Sequence, residues 1–202
     1  MFNGTKIWYK ILYFITAMSP SYILFLFGFK DKYIAEKNGY EDILKFILNN
    51  IDNIIIAFIL FFVAMSLILK LILISQYINS TTDRVGNENV NLFEERNLKE
   101  LNSGVVSFIL GNILPAVILV GNSPKITFIA FLITQIILYI LIMNSSDMFP
   151  NLLLIIQGMN LGTTKKNDYV FTFKSTKYEE FKVYQIGDTY KSKMYIAMYK
   201  KT

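Results

Sequence analysis

Very few side chains within the long apolar stretches of this chain are able to do chemistry. Lys70 is the only charged residue well inside such a stretch, and Asn112 and Gln135 are amides in two neighbouring stretches. A lysine near the end of a membrane helix extends its ammonium group to the headgroups, or else it lines a pore or pairs with a partner. The two amides predict hydrogen bonding between helices or across subunits, with a polar pore lining as the alternative.

The residue inventory argues against an enzyme. The 202-residue chain contains no histidine and no cysteine, so it lacks the usual general base, thiolate metal ligands and thiol redox chemistry. It also has no glycine-rich phosphate loop and no recognisable catalytic constellation. We therefore predict a non-enzymatic protein with no catalytic residue, no metal site and no cofactor.

Hydropathy predicts an α-helical membrane protein with four transmembrane helices. Hydrophobic residues make up 53% of the chain, and they are concentrated in blocks near the about 20 residues that a helix needs to cross a bilayer. Two of these blocks contain a central proline, which removes a backbone donor and kinks a helix. The predicted spans cover residues 11–29, 54–74, 104–121 and 126–143, with kinks at Pro20 and Pro115.

Charge predicts the orientation of these spans. With four crossings, the start of the chain, the loop 76–103 and the tail share one side, and most of the twenty Lys and Arg residues lie there. Positive charge stays on the cytoplasmic side of short loops, so both termini are predicted to be cytoplasmic. Heavy use of Ile, Asn and Lys is typical of an AT-rich bacterial genome, which points to the bacterial inner membrane.

The stretch 149–164 begins like a fifth span but ends in glycine, threonine and lysine. A helix over 149–162 would be about 21 Å long, whereas the hydrocarbon is roughly 30 Å thick. A crossing here would also export the lysine-rich tail, against the charge rule. We predict a transmembrane domain over 1–148, an interfacial or re-entrant segment over 149–164, and a small cytoplasmic β-rich region over 165–202.

The tail shows the alternation of a three-stranded antiparallel meander. So small a sheet cannot bury its aromatic face alone, so its cover would be the acidic loop 76–103, a second subunit, the bilayer or another protein. Within that loop, residues 89–102 fit a capped helix and residues 89–95 fit an edge strand. Contact with anionic lipid or protein is favoured over direct nucleic-acid binding. The candidate contact residues are Lys165, Lys166, Phe171, Phe173, Phe181, Tyr184 and Tyr195.

Three stretches carry a resemblance to a known family. "EERNLKELNSGVVSFILGNILP" leads into the third span, "PNLLLIIQGMN" follows the fourth, and "DYVFTFKS" opens the strand-rich tail. Their order over residues 94–201 resembles the KwaA family, the membrane subunits of Kiwa anti-phage defence systems. The resemblance implies a homo-oligomer, with a tetramer as the implied number. It also implies a membrane sensor that works with a KwaB-like, DNA-binding cytoplasmic effector to block phage replication.

Three functions therefore stand as hypotheses. The first is a non-enzymatic membrane sensor and scaffold that recruits or controls a cytoplasmic effector. The second is a pore-forming effector that depolarises the infected cell, and it is motivated by Lys70, Asn112 and Gln135. The third is an accessory subunit of a transporter.

Overall fold

The chain combines long apolar helices with a small mixed β-sheet. A computed structural model describes residues 1–33, 46–79 apart from 48, 98–102, 104, 108, 123–145, 149–164, 169–173, 183–186 and 191–197. The helices are α1 (Ile7–Ala17), α2 (Ser19–Tyr33), α3 (Ile51–Asn79), α4 (Pro124–Asn144) and α5 (Leu152–Ile156). The strands are β1 (Leu98–Leu101), β2 (Met159–Thr164), β3 (Tyr169–Phe173), β4 (Val183–Gln185) and β5 (Met194–Ala197).

Two helices of the described part are each long and apolar enough to cross a membrane: α3 over Ile51–Gln76 and α4 over Pro124–Asn144. The helices α1 and α2 pass the same criterion as a pair bent by 47°, which gives up to three candidate spans among the described residues. This architecture fits a membrane protein. The third predicted span, with Asn112 and Pro115, lies outside the described residues apart from Gly104 and Phe108. Four spans and their orientation therefore stay predictions.

The bend between α1 and α2 has a local cause. Pro20 is the second residue of α2 and has no N–H to donate to the carbonyl of Thr16, four residues earlier. The hydroxyl of Ser19 donates to that carbonyl instead, at 2.8 Å. The acceptor that proline leaves open is thereby satisfied inside an apolar surrounding, and the chain changes direction by 47° at this point.

Aromatic contacts hold α2 against α3 and α4. The rings of Phe25 and Phe131 stack with centroids 3.9 Å apart, and those of Tyr22 and Phe62 stack at 5.5 Å. The outward faces of α3 and α4 are apolar and exposed, as expected of surfaces in contact with lipid. Their most exposed side chains are Leu60 (65%), Leu71 (63%), Ile136 (60%) and Leu141 (60%).

In the described part of the chain, the sheet has five strands in the order β1-β2-β3-β5-β4. Strand β2 is antiparallel to β1 and β3, and β4 is antiparallel to β5, but β3 and β5 run parallel. The predicted three-stranded antiparallel meander is therefore wrong, because the sheet is mixed and takes two strands from outside the tail. Residues Leu98–Leu101 form strand β1, so the helix predicted over residues 89–102 is wrong for these four residues. Alternation along a strand identifies its two faces, but it does not identify the neighbouring strands.

One face of this sheet is covered by the chain's own helices. The ring of Tyr13 in α1 contacts Phe171 of β3 edge-on at 5.9 Å, and Phe2 contacts Tyr13 at 5.1 Å. Leu69 and Leu73 of α3 belong to the same core. The expectation that this aromatic face needs a cover from the acidic loop, a subunit, the bilayer or another protein is therefore wrong. Its buried residues are Met159, Leu161, Tyr169, Phe171, Met194 and Ile196.

Residues 1–6 form a turn that presses against the end of the sheet. Gly4 has φ +77°, and a Cβ at this position would lie 2.7 Å from the backbone nitrogen of Ser192. Both the left-handed conformation and the close approach require glycine. The hydroxyl of Thr5 donates to the carbonyl of Phe2 at 2.8 Å and closes the turn. The sheet is thus fixed at this end to residues that precede α1.

Candidate functional site

The candidate site is the place where the bend between α1 and α2 meets α3, α5 and the start of β2. We call it the helix–sheet junction and define it by five polar residues: Thr16, Ser66, Lys70, Asn151 and Gln157. The short helix α5 packs against both α1 and α3 and leads directly into β2. Helix α5 therefore connects the apolar helices to the sheet.

Lys70 connects α3 to the end of α5. Its Nζ donates to the carbonyl oxygen of Gln157 at 2.7 Å, and the Nε2 of Gln157 donates to the hydroxyl of Ser66 at 3.0 Å. Ser66 and Lys70 are four residues apart, so both lie on the same face of α3. The carbonyls at a helix end lack partners within the helix, and Lys70 satisfies one of them. Lys70 therefore pairs within its own chain, in addition to any contact with headgroups.

Asn151 connects α5 to the bent helix pair. It is 1% exposed and caps α5, because its Oδ1 accepts from the backbone nitrogen of Leu154 at 3.3 Å. Its Nδ2 donates to the hydroxyl of Thr16 at 2.8 Å. One turn earlier in α1, the hydroxyl of Tyr13 donates to the carbonyl of Phe149 at 2.7 Å. The segment that begins α5 is thus bonded to the last two turns of α1.

Asn102 attaches the loop strand β1 to β2. Its backbone nitrogen donates to the carbonyl of Leu161 at 2.7 Å, and its Oδ1 accepts from the nitrogen of Leu161 at 3.0 Å. Its Nδ2 donates to the Oδ1 of Asn160 at 2.9 Å. Asn102 adopts φ +50°, which asparagine tolerates better than most residues. The polar loop and the segment after α5 are therefore joined side by side.

Of the seven predicted contact residues of the tail, the structure describes the side chains of Phe171 and Tyr195. Phe171 is 1% exposed in the core against α1 and is not available to a separate partner. Tyr195 is half-buried in β5, while Phe173 and Tyr184 lie in β3 and β4. Lys165, Lys166 and Phe181 lie outside the described residues.

Gln135 is buried in α4 at 8% exposure, and its Oε1 has no hydrogen-bond partner among the described residues. Asn112, its predicted partner, lies outside them, so that hydrogen bond stays a prediction. No three His, Cys, Asp or Glu side chains of the described part come together as a metal-binding group. The chemistry of the junction is donation and acceptance by amides, hydroxyls and one ammonium group, with no paired nucleophile and base.

Sequence reasoning missed most of the junction, although part of its signal was present. Asn151 precedes a short apolar run and follows a proline, which is a helix-start pattern. Ser66 and Lys70 have the i, i+4 spacing of neighbours on one helix face. Thr16 and Tyr13 carried no such signal, because what makes them part of the site is their contact with a segment more than 130 residues away.

Long apolar helices joined to a small mixed sheet by buried hydrogen bonds fit the class of membrane proteins. The chain belongs to the KwaA family: the family model described as anti-phage protein KwaA matches residues 9–196, from α1 to β5. Membership in this family implies a role in anti-phage defence. No curated protein and no solved structure matches the chain.

Proposed function

We propose that this chain is a non-enzymatic membrane sensor and scaffold of an anti-phage defence system. Its apolar helices register a disturbance of the bilayer, and its sheet holds or controls a cytoplasmic, DNA-binding effector of the KwaB type. The observation that carries the proposal is the helix–sheet junction, through which the bent pair α1 and α2 is bonded to the sheet. Such an arrangement turns a change of helix tilt into a movement of the sheet.

A small set of hydrogen bonds connects α5 to the apolar helices. The buried Asn151 and Tyr13 tie α5 to α1, and Lys70 ties it to α3. Packed interiors respond to displacement by switching between discrete arrangements rather than by smooth deformation. A bilayer that favours a different angle between α1 and α2 therefore biases which arrangement of α5 and β2 is populated.

Capture of the effector by the detergent-solubilised chain tests the scaffold part. Deleting the whole tail would destroy the core shared with α1, so exposed residues of the sheet are the better targets. We expect Lys191→Glu together with Lys193→Glu, both exposed at the turn before β5, to weaken capture of the neighbouring soluble gene product. Lys32→Glu with Lys125→Glu is the matched control at the opposite end of the helices. Equal capture by both double variants would argue against docking at this turn.

The sensor part is tested in infected cells. A Lys70→Met variant keeps the exposed surface of the sheet but loses the bond to the Gln157 carbonyl. We expect it to retain effector capture while losing protection against phage, measured as plaque formation. A variant that protects as well as the unmodified chain would show that the Lys70 link is not part of signalling.

A pore-forming effector is the second candidate, and Gln135 is the observation that favours it. Its Oε1 has no hydrogen-bond partner among the described residues. An unsatisfied amide oxygen is costly in an apolar surrounding, and water in a pore between subunits would satisfy it. Potassium release during infection tests this function, with Gln135→Leu as the variant. Release that is unaffected by Gln135→Leu, or an unchanged membrane potential during active defence, would argue against a pore lined by this residue.

A further inference from the structure

Helix α1 exposes an apolar stripe that the proposed function does not yet use. Ile7 is 70% exposed, Trp8 46% and Ile11 43%, while Tyr9 and Tyr13 on the opposite side are buried in the core with the sheet. Two lysines are close to these residues in sequence: Lys6 precedes Ile7, and Lys10 precedes Ile11. We call Ile7, Trp8 and Ile11 with these two lysines the α1 stripe.

The position of the α1 stripe relative to the bilayer surface can be inferred from α3, which packs against α1. At the far end of α3, Lys30 and Asp52 form an ion pair at 2.5 Å, which marks one boundary of the apolar layer. From Ile51 to Lys70 the helix rises about 28 Å, close to the roughly 30 Å of hydrocarbon. Lys70 therefore lies at the second boundary, and α1 packs at that level because its Tyr9 and Tyr13 share a core with Leu69 and Leu73 of α3.

The residue types of the α1 stripe fit that depth. Tryptophan favours the boundary between headgroups and hydrocarbon, where its ring is amphipathic like its surroundings. Lysines at the same level attract anionic headgroups. Next to Leu69 and Leu73, α3 exposes apolar residues of its own, among them Ile68 (48%) and Leu71 (63%). A bend of 47° separates α1 from the direction of α2, so α1 turns away from the crossing helix at this boundary.

We infer that the α1 stripe binds the surface of the bilayer leaflet next to the sheet, with Trp8 at the headgroup boundary and Lys6 and Lys10 selecting anionic phospholipid. The opposite side of the same helix holds Phe149 and Asn151 through Tyr13 and Thr16. Lipid composition and packing at this leaflet thus act directly on the helix–sheet junction. The inference deepens the proposed function by naming what the sensor touches, and its test needs purified protein without an effector.

The chain offers its own probe, because Trp8 is the single tryptophan. The full chain is reconstituted into nanodiscs whose lipids carry bromine, a fluorescence quencher, either near the headgroup end or at the end of the acyl chain. We expect stronger quenching by the shallow bromine than by the deep one. Trp8→Phe with Phe61→Trp moves the probe to an exposed position about 15 Å along α3 from Ile51, where the order should reverse.

Headgroup selectivity is measured by placing the bromine on phosphatidylglycerol or on phosphatidylcholine at equal mole fraction. We expect brominated phosphatidylglycerol to quench Trp8 more strongly, and Lys6→Gln with Lys10→Gln to abolish the difference. Lys32→Gln with Lys125→Gln removes two lysines at the other end of the helices and should preserve it. Raising the salt concentration should reduce it, because salt screens exposed charges.

Three outcomes would overturn the inference. No quenching from either depth would mean that protein covers the stripe, as a second copy of the chain or a partner would. Stronger quenching by the deep bromine would mean that α1 lies within the hydrocarbon. Equal quenching by the two headgroup types in the unmodified chain would remove the anionic selectivity. None of these outcomes depends on effector capture, so the docking function can fail or stand separately.

Discussion

At the residue scale, substitutions at Gly4 and Gly104 distinguish the cost of a left-handed backbone from the cost of a steric clash. Gly4 and Gly104 have nearly the same φ, +77° and +79°. A Cβ at Gly4 would meet the backbone at residues 191 and 192, whereas a Cβ at Gly104 would meet no atom of the described residues within 4 Å. Alanine at a left-handed position costs about 1–2 kcal/mol in either case. The difference in the free energy of unfolding between Gly4→Ala and Gly104→Ala therefore shows how closely residues 1–6 pack against the sheet.

We expect Gly4→Ala to lower the free energy of unfolding by clearly more than Gly104→Ala does. The strain is shared, but only Gly4→Ala must displace the turn that carries Lys191 and Ser192. Thermal unfolding of the detergent-solubilised protein, followed by loss of the monodisperse peak in size exclusion, gives both values. Equal losses for the two variants would mean that residues 1–6 do not hold the end of the sheet.

The bond from Lys70 to the Gln157 carbonyl gives a second prediction at this scale. Lys70→Met removes a hydrogen bond from a charged donor and leaves a carbonyl without this partner, so we expect a loss of about 1.5–3 kcal/mol. Lys125→Met, in the first turn of α4, is the control for removing a lysine and should cost less. Thermal unfolding under the same conditions measures both. A Lys70→Met protein as stable as the unmodified chain would contradict the structural role given to this bond.

At the element scale, α5 is too short to persist without its cap and its neighbours, because five residues form little more than one turn. Asn151→Ala removes both the cap and the bond to Thr16, and loss of an asparagine cap costs about 0.5–2 kcal/mol. Asn151→Ser supplies a cap acceptor, but its shorter side chain lacks the amide group that reaches Thr16. Comparison of the two variants thus distinguishes the contribution of the cap bond to Leu154 from that of the bond to Thr16.

We expect the amides of α5 to exchange hydrogen faster in Asn151→Ala than in Asn151→Ser, with α3 unchanged in both. If Asn151→Ser exchanges as fast as Asn151→Ala, the bond to Thr16 is the more important of the two. Hydrogen exchange measured by mass spectrometry on the reconstituted chain gives the comparison. Unchanged exchange in both variants would mean that packing alone maintains α5.

Sequence patterns predicted the elements unevenly. The long apolar helices α3 and α4 were found because a run of about 20 apolar residues has few alternatives. Strand β2 was not found, since "MNLGTT" has no extended alternation and becomes a strand through pairing with β1 and β3. The bond between Asn151 and Thr16 joins residues 135 positions apart, and nothing local in the sequence specifies such a contact.

At the scale of the whole molecule, the sheet constrains how often the chain crosses the bilayer. Strands β1 and β2 are paired, so residues 98–101 and 159–164 lie on the same side of any membrane that the chain spans. Helix α4, which lies between them in sequence, is long and apolar enough for one crossing. A second crossing between β1 and α4 is therefore expected. The span predicted over 104–121, which lies almost wholly outside the described residues, would supply it.

Cysteine accessibility tests this arrangement, since the chain contains no cysteine of its own. Single substitutions at Asn3, Ser123 and Lys193, all exposed, are treated in intact cells with a maleimide that cannot cross the membrane. We expect Asn3→Cys and Lys193→Cys to react only after lysis, and Ser123→Cys to react in intact cells. Labelling of Asn3→Cys and Lys193→Cys on different sides would be incompatible with the covered sheet.

The distribution of the strands along the chain also sets the order of biosynthesis. Strand β1 is synthesised before α4, and its partner β2 is synthesised after α4. The two strands therefore cannot pair until α4 has left the ribosome. Contacts between such distant segments form late. The aromatic residues of α1 therefore stay uncovered until β3 has been synthesised. A product truncated within α4 would keep an unpaired strand β1 and an uncovered aromatic surface on α1. Quality-control proteases and chaperones recognise such features. Incomplete copies of this defence protein should therefore be degraded before they can associate with full-length copies.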